Sequence, residues 1–449
     1  MFNLRNKAIS VITNLHFLSL LGNGLMAVFG MVTLAILYRK LSVVEMGIYI
    51  FFMAILGLID VLRSGFLTIT IVKFYSGTSL ERGRQIAGSA WCIALAITGV
   101  SVVINIPTYF LSDHVSDQGL VLFMKYFSLV SLITLPCFMA NCIVQAEKEF
   151  GKLLWFKIMI QGSFALMIFL LAIFGKITLN AVLIAYGLSN LLSSIVVLTL
   201  KWTMISAVKY ADRETIRELF HFGKYAMGTN IGSNLFNVTN TFAINFFIGP
   251  AGLAIFNLGS KFMQVIEIPM VSFAATGMPI LSFHYNNGEH VEMMYALKKL
   301  IGMMTIVLIP CTIFALLFAE PIILLLGGEA NSHNEAPNIF RMLMVFGLLG
   351  PADRFFALAL DVIHQPKVNF YKIILMLVVY AVAIVVGVEI YHSIYSIAIA
   401  GVFPTIVAIL ITYVPLNRYH KFSFWGIYVI GYKEVMLFIK QLRTQFLQR

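Results

Sequence analysis

The residues able to do chemistry in this chain are few, and they stand out because their surroundings are apolar. Asp60 and Arg63 sit in the run ILGLIDVLRSGF, Lys261 and Glu267 in Gly252–Ser282, and Asp353, Arg354 and Asp361 in 338–363. An ionisable side chain inside a long apolar run is costly to place in lipid, so it faces protein or a water-filled cavity. Asp60 and Arg63 are three apart and share a helical face. At 1.5 Å per residue both fall within about 10 Å of the middle of their helix. Arg354 and Asp361 are seven apart and face nearly the same way. The basic members, Arg63, Lys261 and Arg354, could hold an anion: arginine grips phosphate oxygens bidentately, while lysine acts as a point charge. The acids Asp60, Glu267 and Asp353 could bind H+ or Na+ and couple movement to an ion gradient. Against both stands internal pairing, Asp60 with Arg63 and Asp361 with Arg354, which would serve packing alone.

A second group is neutral. Asn23 and the series Asn230, Asn234, Asn237 and Asn240 lie in apolar segments. Such a stripe could bind hydroxyl groups of a ligand. It could equally hydrogen-bond between helices with Thr229, Ser233 and Thr239, with Gly228 and Gly232 allowing close approach.

These groups must be positioned by membrane-spanning helices. The chain has 449 residues, 60% hydrophobic and 11% charged, too few charges to cover a soluble protein of this length. Apolar stretches long enough to span a bilayer recur throughout, and in lipid a helix satisfies its own backbone. The pattern predicts spans at 14–38, 44–72, 86–112, 119–145, 153–174 and 178–200, then at 224–248, 252–282, 299–319, 338–363, 370–390 and 394–416. The expected architecture is all-α and integral to the membrane, about twelve transmembrane helices in two halves. Residues 1–200 form an N-terminal six-helix bundle, 201–223 a cytoplasmic connecting segment, 224–416 a C-terminal six-helix bundle, and 417–449 an amphipathic tail.

The net charge of +11 does not indicate nucleic-acid binding, because the basic residues gather in alternate short loops. Arg5 and Lys7, Lys73, Arg82 and Arg84, Lys148 and Lys152, Lys298 and Lys299, and the tail from Arg418 to Arg449 all fall on one side. This bias predicts cytoplasmic termini. The four cysteines lie in apolar stretches without metal-ligand spacing. No G-x-x-x-x-G-K-[ST] sequence is present, so phosphate binding by a P-loop is excluded. There is no long extramembrane loop and no acidic metal motif in a soluble domain, which argues against a membrane polymerase or glycosyltransferase. The expectation from these absences is that the chain is not an enzyme.

Several ordered motifs carry a family resemblance: Gly252, Phe256-Asn257, Lys261, Pro269 and Pro279; the pair Lys298-Lys299 followed by Glu320-Pro321 and Gly327-Gly328; EAPNIFRMLM (Glu335 to Met344); and DVIHQPKVNFYK (Asp361 to Lys372). In the first half, LSVVEMGIYIFF and IDVLRSGF occupy the second span. In these features the chain resembles the polysaccharide (O-antigen) flippases, of one superfamily with the lipid II flippases and the multidrug and toxin extrusion transporters. The resemblance implies two six-helix bundles around a central cavity. It implies a cargo of undecaprenyl-pyrophosphate-linked oligosaccharide, moved from the inner to the outer leaflet of the bacterial cytoplasmic membrane by alternating access. Arg63, Lys261 and Arg354 would then meet the pyrophosphate, and Asn23, Asn230 and Asn234 the sugars. No cofactor is implied beyond H+ or Na+ coupling; membrane lipids and polysaccharide polymerase machinery are the implied partners. A cation-coupled multidrug exporter is the alternative within the superfamily.

Overall fold

The computed structural model describes residues 15–75, 77–147, 149–329 and 334–447. Arg5, Lys7, Lys148 and Arg449, used above to orient the chain, lie outside them. Among the described residues the chain is all α, with short 3-10 turns. Among the same described residues eight segments are long and apolar enough to cross a membrane, and a ninth is made of two helices bent by 40°.

Two compact units divide the chain at Phe242/Ala243. The first holds α1 (Leu15–Lys40), α2 (Val43–Tyr75), α3 (Leu80–Leu111), α4 (Gln118–Ala146), α5 (Phe150–Ile173), α6 (Leu179–Thr199) and most of α7 (Arg213–Phe247). α1 lies along α5, and α2, α3 and α4 pack on one another around Trp91, Ile86, Met139 and Leu67. The segment expected to connect the halves is built into this unit. It forms a 3-10 turn, Ile205–Tyr210, laid against α3. Gly88 makes that approach possible, since a Cβ there would lie 2.1 Å from the Ala207 carbonyl oxygen. Trp91 Nε1 donates to the Thr203 carbonyl at 2.7 Å. Asp212 then caps α7 by accepting from the Thr215 N–H at 3.1 Å. The first turns of α7 are fastened to α2 and α3: Phe220 packs on Phe66, Lys73 lies 3.8 Å above the Phe222 ring, and Arg82 pairs with Glu218 at 2.6 Å. The boundary expected at 224 therefore falls inside a continuous helix.

The second unit holds α8 (Pro250–Ser260), a 3-10 turn at Lys261–Met263, α9 (Gln264–Asn286), α10 (His290–Gly327), α11 (Ala336–Gly347), α12 (Gly350–Val362), α13 (Pro366–Tyr391), α14 (Ile394–Ala400), α15 (Val402–Tyr419) and α16 (Phe424–Leu447). Three spans read as continuous from sequence are interrupted: α8–α9, α11–α12 and α14–α15. Proline explains two of the breaks. Pro351 and Pro404 have no N–H to donate to Gly347 and Ala400, so the ladder loosens there. α10 bends at Phe318 (φ −110°, ψ 19°), one turn ahead of Pro321. Counting each interrupted pair as one, and adding α1 and α7, every one of the twelve expected spans has a helical counterpart.

The tail is more than a surface helix. α16 runs along α10 with their backbones in contact, because Gly302 and Gly431 face each other. A Cβ on Gly302 would lie 2.3 Å from the Ile427 carbonyl oxygen. Beyond the glycines, Lys299 pairs with Glu434, and Tyr295 donates to Glu434 at 2.6 Å. Gly302→Leu should therefore push α16 away, lowering the unfolding midpoint in detergent and opening the tail to protease. Overpacking of this kind costs about 1–3 kcal/mol. Gly99→Leu, at a position with open space, should leave both unchanged.

Lys299 and Tyr295 hold the Glu434 carboxyl below its ordinary value. The folded form thus prefers the ionised group. Its contribution to docking is complete above about pH 4.5 and is lost as pH falls through the lowered value. Protease sensitivity of the tail should rise in that acid window for the native chain. In Glu434→Gln, sensitivity should be raised at neutral pH and should no longer change across the window.

Candidate functional site

α2 places Asp60 and Arg63 one turn apart, and the bundle closes over the arginine. Arg63 is 2% exposed. One terminal nitrogen donates to the Ser131 carbonyl at 3.1 Å, and the other to Thr134 Oγ1 at 3.1 Å and to Asp60. The guanidinium also lies 5.6 Å from the centre of the Phe138 ring. α4 thus supplies the groups that replace water around the cation. Asp60 is different, its side chain half exposed. It opens into a small cleft lined by Ser131, Thr134, Phe127 and Tyr186. The pairing of Asp60 with Arg63 foreseen as a packing role is present, and the carboxylate is the member that faces outward.

In the second unit Lys261 stands at the head of the 3-10 turn between α8 and α9, half-buried. Among the described residues it has no ion-pair partner. The span is interrupted where its cation sits. Glu267 is exposed in the first turn of α9, where the helix dipole favours a carboxylate.

Arg354 and Asp361 do not meet as expected. Asp361 accepts from Asn369 Nδ2 at 2.7 Å, and the same amide donates to the Ala357 carbonyl at 2.8 Å. Arg354 is exposed. Asp353 is taken instead by Lys372, 7% exposed on α13, which lies 2.8 Å from it. The physical reason is the hairpin between α12 and α13. Its short turn at Ile363–Gln365 carries the second turn of α13 back beside the start of α12, so Lys372 enters the bundle. No signal in the sequence separates Lys372 from Lys367, which remains exposed. Lys157, half-buried within α5, is a further cation inside a predicted span. The side chains of Asn23, Asn230, Asn234 and Asn237 lie outside the described residues; the helices carrying them are α1 and α7.

Long apolar helices in two units, with the ion pairs Asp60–Arg63 and Asp353–Lys372 among them, define the class as a multi-span membrane protein. Solved structures agree on the fold. An inward-facing multidrug resistance MATE family transporter of the MOP superfamily superposes with a TM-score of 0.71, at 14% identity, over 89% of this chain and 96% of that one. The lipid II flippase MurJ, in an inward closed conformation, gives 0.69 at 15% identity over 95% and 92%. A MOP superfamily transporter from Pyrococcus furiosus gives 0.57 at 14% over 91% and 95%. A comparison with curated proteins gave no match. The model of the polysaccharide biosynthesis protein family matches residues 14–285, and the chain belongs to that family. The MatE model matches 226–388.

The Asp353–Lys372 pair gives a direct test of charge compensation. Lys372→Met strands a carboxylate and should destabilise the protein by about 3 kcal/mol. The double variant Asp353→Asn/Lys372→Met should recover most of that loss. Additive losses in thermal unfolding would contradict the pairing.

Proposed function

We propose that this protein is a flippase for lipid-linked oligosaccharides. It carries undecaprenyl-pyrophosphate-linked units from the inner to the outer leaflet of the bacterial cytoplasmic membrane, by alternating access and for surface polysaccharide synthesis. Family membership and the fold shared with the lipid II flippase support this reading. The observation that carries it is the state of the embedded carboxylates. Asp60 is neutralised by Arg63 and Asp353 by Lys372. An exporter of cationic drugs needs unneutralised acids for its cargo; Asp353 is tied to a buried lysine, and Asp60, though it opens into the cleft, has its charge offset by Arg63 behind it. Lys261 at the interrupted span is the cation best placed to meet a pyrophosphate. It is half-buried, so its charge is less screened than at a surface. In this reading Arg63 supports Asp60 and the cleft from behind, and Glu267 is the acid left for H+ or Na+ coupling.

The cation-coupled multidrug exporter is the second reading, favoured by the MatE match and the MATE structures. The two readings part at Lys261. In cells that depend on this protein, Lys261→Gln should lower surface polysaccharide about ten-fold, as expected for one charge-assisted contact, while membrane levels of the protein stay normal. Lys261→Arg should keep most of the output. Unchanged polysaccharide in Lys261→Gln, with altered efflux of a cationic dye, would favour the exporter.

A further inference from the structure

α16 presents one face that the fold leaves uncovered, and its rotation is fixed. Ile427 and Gly431 are buried against α10, and Glu434 is held by Lys299 and Tyr295. The opposite face therefore points outward. Along it run Trp425, Val429, Tyr432 and Met436, all exposed, at the i, i+4, i+7, i+11 spacing of a single helical stripe. Trp425 is 77% exposed. Lys433 and Lys440 edge the same stripe two turns apart. With Tyr432, Met436 and Leu437 they line a cleft of about 320 Å³.

The direction of the helix orders this stripe by depth. The start of α16 packs on Phe356 and Tyr413, inside the unit. Further along, Gly431 meets Gly302, and Glu434 then meets Lys299 and Tyr295, nearer the beginning of α10. α16 thus runs antiparallel to α10 and outward, toward the end where Lys298 and Lys299 mark the edge of the apolar span. Trp425 lies about 12 Å along the helix axis from Lys433, at 1.5 Å per residue, on the side away from that edge. An apolar and aromatic stretch that ends in two lysines, read from bilayer interior to surface, has the polarity of a phospholipid with an anionic headgroup.

We propose that the outer face of α16 is a binding site for an anionic phospholipid. The phosphate and headgroup sit at Lys433 and Lys440. The acyl chain lies along Trp425, Val429 and Met436, with the Tyr432 ring at the interface between them. The site is independent of the cargo and rests only on the membrane fold. A neutral zwitterionic lipid would satisfy the apolar stripe equally well but not the paired ammonium groups. A lysine near an anionic surface favours it by about five-fold, so two lysines should enrich the anionic lipid clearly over the zwitterionic one.

The test uses the full chain reconstituted in vesicles of phosphatidylcholine with and without phosphatidylglycerol, either lipid carrying brominated acyl chains. Bromine quenches tryptophan on contact, and the difference between wild type and Trp425→Phe isolates the Trp425 signal. Brominated phosphatidylglycerol should quench Trp425 several-fold more effectively than brominated phosphatidylcholine. In Lys433→Gln/Lys440→Gln that preference should fall to near one while quenching by phosphatidylcholine persists, which also shows the helix still docked. Equal quenching by the two lipids in the wild type would overturn the proposal. So would an unquenched Trp425, the outcome expected if this face binds a second copy of the chain or stands in water.

Discussion

A guanidinium shut inside a helical bundle dictates what must surround it. Arg63 draws the Ser131 carbonyl, the Thr134 hydroxyl and the Asp60 carboxylate onto one plane of donors, and in doing so fixes α2 against α4. Lys372 does the same for α12 and α13 through Asp353. In lipid, neither cation has water to fall back on. Each unit therefore holds a compensated pair, while Lys261 stands at a helix interruption without an ion partner among the described residues. The distinction between paired and unpaired charge separates scaffold from candidate site, and in the proposed reading the unpaired lysine is the group that meets an anionic cargo.

The second constraint is backbone approach. Where helices must touch, glycine removes the side chain: Gly88 admits the connecting segment against α3, and the Gly302–Gly431 contact seats α16 on α10. Proline does the reverse, removing a donor so that a span gives way at Pro351 and Pro404. Breaks and close contacts concentrate in the second unit, which also carries the exposed acid and the half-buried lysine of the interrupted span. Local helix interruption frees backbone groups that can serve a ligand only where they are protected from lipid.

The spans were legible because about twenty apolar residues can hardly be read otherwise in a chain with so few charges. The class of fold and the Asp60–Arg63 pair were legible too, the latter because i, i+3 spacing on a helix forces the two side chains together. Contacts across the chain were not. Asp353 meets Lys372 only through the tight α12–α13 turn, and Asp361 meets Asn369 in place of Arg354 for the same reason. The interruption at Lys261 has no proline at its centre. It coincides with the close seating of Gly259 against the Ala336 carbonyl and Ile339, a tertiary cause invisible to hydropathy. The tail looked amphipathic in sequence, and it is; its anchoring depends on two glycines 129 positions apart, which no local pattern announces.

Sidedness of the cargo in a purified system bears most directly on the flippase reading. The protein would be reconstituted into vesicles carrying undecaprenyl-pyrophosphate oligosaccharide, and the glycan exposed on each face measured with a membrane-impermeant glycosidase or lectin. A flippase should move glycan across the bilayer at a rate well above protein-free vesicles. Equal sidedness with and without the protein, alongside transport of a small cationic dye, would contradict the flippase reading and leave the exporter in its place.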